Sequence, residues 1–459
     1  MKIAVLNGSP KGEKSVTLQY ALYLQKKIPD LELTIHPAAQ RIQRLEKDED
    51  AFRRILEDIR SAELVLWAFP LYFLWVPSQF KRFIELIFER GAEDAFRDRY
   101  TAVLTTSVHF YDHTAHGYLH ALCDDLRMRY LGGYSAGMYD LLRRRERQRF
   151  LLFGENLRDA VKRRVPTAPT YPPLAWTPFS YLPSPAQPSV DAGGKRILIL
   201  TDAKPGDASL AGMVQTLRDQ FLQGVEVVNL HDVAIAGGCL GCISCGYDNR
   251  CVYFGRDGYR DFYEAKVKTA DVIVMAGAMK DRALSSRWKL FFDRSFYNTH
   301  QPVLAGKQVG FLISGPLGQN ANLRQILTAY TECMEGNLVG FVTDEPGDPA
   351  AIDARIHEFA MTAVRLATQS YVHPATFLGI AGAKVLRDEI WGPLRFAFLA
   401  DHRYFKKHGM YRFPQKNYRV RMRNALMTLL MSVPFTRKSV EKRITDEMVK
   451  PLRNVVENR

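Results

Sequence analysis

Two segments of this chain repeat one another without a gap. Residues 62–85 read AELVLWAFPLYFLWVPSQFKRFIE, and residues 270–293 read ADVIVMAGAMKDRALSSRWKLFFD. Ala62/Ala270, Ala68/Ala276, Ser78/Ser286, Lys81/Lys289 and Phe83/Phe291 coincide, and Glu85/Asp293 keep their charge. Each segment opens with an apolar run that does not alternate, as in a parallel strand buried on both faces. Each closes with the mixed spacing of an amphipathic helix. A second pair agrees: KIAVL at 2–6 and RILIL at 196–200 each run into a glycine-containing loop and then a helical pattern. A chain written twice in strand–loop–helix units is confined to two copies of one α/β fold.

The other strand–helix alternations complete both copies. Strands are expected at 2–7, 32–37, 63–69, 101–107 and 131–137, then at 195–201, 225–230, 271–277, 307–314 and 338–343. Five parallel strands with intervening helices make a flavodoxin-like doubly wound sheet, whose ligands sit beyond the carboxyl ends of the strands. At 459 residues the chain exceeds one ordinary core. Residues 165–188 carry eight prolines, which remove backbone donors and hold the chain extended. Tyr171, Trp176, Phe179 and Tyr181 lie among them, so this connector is expected to pack across a domain surface. The organisation read from these signals is a domain at 1–162, a linker at 163–194, a second domain at 195–370 and an extension at 371–459.

The loop after the first strand, Asn7 to Thr17, holds Gly8, Ser9, Lys11, Gly12, Ser15 and Thr17 ahead of a helix. Glycines let backbone approach an anion, hydroxyls donate, and a helix start presents free N–H groups. The arrangement suits a phosphate monoester such as that of FMN, and it lacks the spacing of an ATP-type P-loop. An ordinary capped βα turn is the plainer reading. The loop after the third strand is apolar and aromatic, FPLYFLWVP at 69–77. Such a loop at a strand exit calls for a flat ligand stacked on Tyr72, Phe73 or Trp75, or for a dimer contact.

Together, GSPKG followed by Ser15 and Thr17, and PLYFLWVPSQFKRFIE, resemble the NAD(P)H-dependent FMN reductase and quinone reductase group of flavodoxin-like proteins. The resemblance implies that Ser9, Lys11, Ser15, Val16 and Thr17 hold the FMN phosphate. It implies that Pro70, Leu71, Tyr72 and Phe73 border the ring, and that the fourth-strand loop at 105–109, with Thr106 and Ser107, completes the pocket. The second copy departs from this pattern. Ala203 stands for Ser9, Ala278 for Pro70 and Lys280 for Tyr72, while Asp202 and Asp207 oppose a phosphate.

The second copy carries four of the chain's six cysteines instead, in CLGCISCGYDNRC: Cys239, Cys242, Cys245 and Cys251. Zinc favours two C-x2-C knuckles set well apart, whereas this compact run is closer to ferredoxin-type ligation of a 4Fe-4S cluster. Structural zinc and reactive thiols remain open on spacing alone. The run also resembles that of the iron–sulfur flavoprotein family, which implies a cluster exchanging electrons with a flavin on a neighbouring subunit. Cys123 and Cys333 stand alone and read as small core residues.

Four of the eleven histidines, His109, His113, His116 and His120, fall at helical spacing beside the expected pocket. Pocket lining with proton transfer, metal binding and plain packing are all compatible with that spacing. His113, Asp112 and Tyr111 are the catalytic candidates. Net charge is +14, and residues 402–459 hold fifteen Lys/Arg against four Asp/Glu, or +11. An apolar patch at 424–435 interrupts that tail and is too short to span a bilayer. An anionic membrane surface, an acidic electron-transfer partner and packing onto the domains are the readings of the tail; no motif supports nucleic acid.

The chain is thus read as a cytoplasmic enzyme, peripheral to a membrane if the tail docks there. It would be a fused pseudo-dimer, or a homo-oligomer of such units, passing electrons between FMN and a 4Fe-4S cluster. NAD(P)H or an electron-donor protein would supply them, and a small-molecule substrate is left unnamed. Two alternatives stand beside it: an NAD(P)H-dependent FMN or quinone reductase with structural zinc or a vestigial cysteine site, and a non-catalytic electron carrier docking through its tail.

Overall fold

The computed structural model describes residues 1–176, 179–184 and 189–457. Residues 1–404 form one compact unit and residues 405–459 another. The first unit holds two five-stranded, all-parallel sheets. In the first, β1 (Lys2–Asn7), β2 (Glu32–His36), β3 (Leu64–Pro70), β4 (Tyr100–Ser107) and β5 (Arg129–Gly137) lie in the order β2-β1-β3-β4-β5. In the second, β6 (Ile197–Thr201), β7 (Val225–Asn229), β8 (Val272–Ala278), β9 (Gln308–Ser314) and β10 (Asn337–Thr343) repeat that order as β7-β6-β8-β9-β10. Ile3 pairs with Leu64 in one sheet as Ile197 pairs with Val272 in the other. Both sheets are flavodoxin-like, and every expected strand is present.

In the first domain α1 (Val16–Lys27), α2 (Ile42–Leu45), α3 (Glu49–Ser61), α4 (Ser78–Glu89), α5 (Asp112–Asp125) and α6 (Arg144–Lys162) flank the sheet. The second has α7 (Ala208–Asp219), α8 (Tyr259–Phe262), α9 (Ser286–Ser295), α10 (Ala321–Cys333) and α11 (Pro349–Thr368). Helix α3 shows how sequence dictates these elements. Asp48 caps it by accepting from the Ala51 amide at 2.9 Å, and Phe52, Ile55, Leu56 and Ile59 bury one face at helical spacing.

The described part of the proline-rich linker packs as its aromatics foretell. Tyr181 is 2% exposed, and its hydroxyl donates to Asp353 and bonds Thr216. The amides of Thr170 and Tyr171 donate to Asp124. Linker residues 177–178 and 185–188 lie outside the described residues.

The junction of the two domains is built from the repeated segments. Helices α4 and α9 pack together, and the matched residues bond one another in a near two-fold pattern. The Ser78 amide, at the start of α4, donates to Asp293 of α9 at 2.7 Å. The Ser286 amide and hydroxyl, at the start of α9, donate to Glu85 of α4. Each helix start thus receives a carboxylate from the other helix, which meets its free N–H groups and its dipole.

Past α11, α12 (Phe377–Trp391) packs on α10. The break between compact units falls after α12, at 404/405 within α13 (Leu399–Lys407). The second unit contains the helical pair α14 (Tyr418–Ser432) and α15 (Pro434–Glu457). Among the described residues no helix is long and apolar enough to cross a membrane.

Candidate functional site

The loop after β1 turns tightly into α1. Asn7 orders it, accepting from the Ser9 amide and donating to the Gly12 carbonyl at 3.1 Å each. The loop hydroxyls are buried and shape the turn. Ser9 accepts from the Lys11 amide, Ser15 caps α1 at Leu18, and Thr17 bonds Thr106 at 2.6 Å. Lys11 and Val16 are exposed, and no helical carbonyl accepts from the first-turn amides of α1 at Val16 and Thr17.

The loop after β3 meets the second domain. Phe73 and Leu74 adopt left-handed backbone, φ 40° and 69°, and an isolated bridge pairs Tyr72 with Trp75. Trp75 is 1% exposed and packs edge-on against Tyr118. Phe73 packs edge-on against Tyr330 of α10, with ring centroids 5.5 Å apart. Of the three aromatics expected to stack on a flat ligand, these two pack on protein, Trp75 within its own domain and Phe73 across the junction. Tyr72 differs. Its hydroxyl is buried and has no hydrogen-bond partner among the described residues. A buried, unpaired phenol is costly unless a bound group accepts from it.

The cysteine loop of the second domain covers Tyr72. At Gly241, φ +61°, a Cβ would stand 1.9 Å from the Tyr72 hydroxyl and 2.9 Å from Lys11 Cε. The Gln79 side chain donates to the Cys239 carbonyl at 3.1 Å. Arg294 anchors the loop, bonding Asp257 at 2.7 and 3.1 Å and the Gly237 carbonyl at 2.8 Å. Cys245 is buried, Cys239 and Cys251 are half-buried, and Cys242 is exposed. Burial, Asp293 and the neighbouring thiols push Cys239 up to about 12. Burial and the other three thiols likewise push Cys245 well up. The four sulfurs therefore lie within electrostatic reach of one another. Among the described residues no three His, Cys, Asp or Glu side chains converge tightly enough to hold a metal ion. Cys123 is fully buried, and Cys333 donates to the Tyr111 hydroxyl at 3.4 Å.

Beneath these loops lies a buried charge network that the sequence reading did not place. Lys289 of α9 donates to Asp293 and, at 2.8 Å, to the Tyr72 carbonyl. Its counterpart Lys81 donates to Glu85 at 2.8 Å and to Asp281 at 3.0 Å. Each lysine grips the other domain's third-strand loop, and both are fully buried. Burial pushes Glu85 up, but Lys81 and the Ser286 donors outweigh it and hold the carboxyl down at about 2. The signal was available: a Lys and an acid four apart at matched positions in both copies.

The histidine segment does not gather as one face. Asp112 accepts from His109 at 2.8 Å and from Ser135, and that bond to Asp112 raises the His109 pKa. Ser107 accepts from the His109 amide at 2.9 Å. His116 bonds Thr105 at 2.8 Å, and His120 stacks on Tyr130. His113 is exposed. Tyr111 turns inward, its hydroxyl donating to the Leu378 carbonyl. Asp112 is thus joined to His109, while His113 meets it through its backbone amide at 3.0 Å and the Tyr111 ring turns away.

The second copy's own loops line a cavity of about 870 Å³ with Asp202, Lys204, Asp207 and Lys280, facing Arg82 and Glu85 of α4. Asp202 is 4% exposed, and burial pushes it up to about 6. A carboxylate there opposes a phosphate, in keeping with the sequence.

Residues 1–139 match the family model described as NADPH-dependent FMN reductase. The match covers the sheet of the first domain and ends before the linker and the cysteine loop. No curated protein matches the chain. Similar solved structures include RosB with a bound 8-demethyl-8-formylriboflavin-5'-phosphate intermediate, at 16% identity and TM-score 0.32, covering 43% of this chain and 88% of that one. Another is FerB, a flavoenzyme NAD(P)H:(acceptor) oxidoreductase from Paracoccus denitrificans, at 16% identity and TM-score 0.28, covering 35% and 97%. A third is general stress protein 14 from Treponema denticola in complex with FMN, at 14% identity and TM-score 0.28, covering 34% and 98%.

Proposed function

We propose that this protein is an FMN-dependent oxidoreductase in which electrons pass between FMN in the first domain and a 4Fe-4S cluster held by Cys239, Cys242, Cys245 and Cys251 of the second. The observation that carries this reading is the contact of Gly241, inside the cysteine run, with Tyr72 and Lys11 of the flavin-type loops. Two loops that would hold separate redox groups meet across the domain junction. A bound flavin supplies exchange of one or two electrons, and a cluster supplies exchange of one.

The chain's own residues give this site its shape. Lys11 and the first-turn amides of α1 offer positive charge to a phosphate, while Ser9, Ser15, Thr17 and Thr106 hold that loop rigid. Pro70, Leu71 and Tyr72 border the ring position, with the unpartnered Tyr72 hydroxyl as a donor. Lys289 fixes the Tyr72 carbonyl from the cysteine domain and so sets the distance between the loops. The His109–Asp112 pair, ordered by Ser107 and Ser135, is a candidate proton carrier at the β4 exit; Asp112 and the neighbouring His113 remain the residues to alter. Four thiols in one loop are the donor type that iron–sulfur ligation uses. Their raised pKa values mean that proton loss at Cys239 and Cys245 waits for positive charge. NAD(P)H or a donor protein in the cytoplasm would supply electrons.

A second reading is an NAD(P)H-dependent FMN or quinone reductase whose thiols bind structural zinc or nothing. Its support is that no three donors converge among the described residues. Anaerobic purification followed by iron, sulfide, zinc and FMN analysis separates the two. Iron and sulfide with FMN, and a visible shoulder bleached by dithionite, are the expected result. Zinc without iron would overturn the cluster and leave the FMN reductase.

A further inference from the structure

The second compact unit presents exposed apolar side chains that the sequence reading saw only in part. Along α14, Tyr418, Met422, Leu426 and Leu429 recur at helical spacing and are 58–74% exposed, and Val433 at its C-cap is 49% exposed. Phe435, at the start of α15, is 85% exposed. Along α15, Ile444, Met448, Leu452 and Val455 recur in the same way, 48–76% exposed. Residues 402–459 carry +11. Arg419, Arg421 and Arg423, all exposed, stand among the apolar side chains of α14.

Large side chains this exposed, on two helices packed together, need a cover. Charge decides which cover fits. A second copy would bring the same excess of positive charge against itself. Nucleic acid would satisfy the arginines and leave leucine, methionine and valine in water. An anionic bilayer surface takes both: acyl chains receive the apolar side chains while headgroup phosphates receive the arginines. Neither helix can cross the membrane, so the pair lies in the interface plane. We propose that residues 418–456 form an interfacial anchor, both apolar and basic, for anionic phospholipid. This inference is independent of what the cysteines hold.

The full-length protein is sedimented with vesicles of phosphatidylcholine alone, and with vesicles containing about one third phosphatidylglycerol. Binding to the anionic vesicles at least about tenfold tighter than to the neutral ones is expected, weakening as salt rises. Two variants follow the two halves of the recognition: Leu426→Ser/Leu429→Ser/Phe435→Ser, and Arg419→Gln/Arg421→Gln/Arg423→Gln. All six side chains are exposed, and circular dichroism and light scattering confirm that fold and oligomeric state persist. Loss of vesicle binding in both variants supports the anchor. Equal binding to both vesicle types, or undiminished binding by the apolar variant, would overturn it. So would tighter retention on duplex DNA than on vesicles, or a dimer that the apolar variant splits while vesicles bind neither form.

Discussion

The Ser78 amide donates to the Asp293 carboxylate at 2.7 Å, joining the start of one domain's helix to the end of the other's. Its mirror is the bond from Ser286 to Glu85. The lysines one helical turn before the two acids complete the set, each reaching across to the opposite third-strand loop. The polar residues that match in the two copies, Ser78/Ser286, Lys81/Lys289 and Glu85/Asp293, are therefore ones that join them. They also hold Tyr72 under the cysteine loop, so the junction and the candidate redox site are one construction.

Lys289→Met should be strongly destabilising. It leaves Asp293 buried with its charge partner gone, which costs about 3–5 kcal/mol, whereas removing both charges in Lys289→Met/Asp293→Leu should cost much less. Urea unfolding measures the difference. Because Lys289 also bonds the Tyr72 carbonyl, both variants should release FMN more readily than the unaltered protein, as read by fluorescence of the filtrate.

Acid should act on this junction through Glu85. Its folded value of about 2 lies below its ordinary 4.5. A depressed carboxyl contributes stability that is full above pH 4.5 and lost as pH falls toward 2, here on the order of 3 kcal/mol. Asp281 works in the opposite sense, since burial pushes it up to about 7. The stability gap between the protein and Glu85→Gln should therefore be wide near neutrality and close as pH drops below 4.5. A gap that stays constant from pH 6 to pH 3 would contradict the ion-pair role.

Gly241→Ala tests the loop contact. It adds a Cβ 1.9 Å from the Tyr72 hydroxyl at φ +61°, so backbone strain and overpacking combine to cost about 2–4 kcal/mol. Gly255→Ala is the control, with φ +71° and nothing within 4 Å, and should cost only the strain of about 1 kcal/mol. FMN content should fall in the first and hold in the second.

Cys242→Ala should remove iron and leave FMN bound, because the thiols and the flavin-type loops belong to different domains. Loss of both together would mean that the cysteine loop is needed to hold the flavin itself.

Asp112→Asn should lower the His109 titration midpoint, since the bond to Asp112 is what raises it. Proton NMR of the imidazole follows this directly. His113→Ala, at an exposed position, should change stability by no more than about 0.5 kcal/mol. A larger loss of NAD(P)H oxidation in His113→Ala than in Asp112→Asn would place the proton carrier at His113.

Most of the fold was legible because parallel strands buried on both faces leave unbroken apolar runs. LVLWAFP and VIVMAGA identify β3 and β8 without any partner in view. The loops were legible by type, since glycine, serine and a helix start have local chemistry. The roles of Phe73, Trp75 and Tyr111 were not. A side chain's direction depends on which surface arrives opposite it, and Tyr330 and Leu378 arrive from more than two hundred residues away.

The repeat thus established by itself that two like domains exist, and that one kept its flavin-type loops while the other gained cysteines. Only the tertiary structure decided that these two features face each other. Parallel strands form from short-range pattern, but the docking of two sheets is fixed by charges such as Lys289 and Asp293. Their burial is affordable only once α4 and α9 meet.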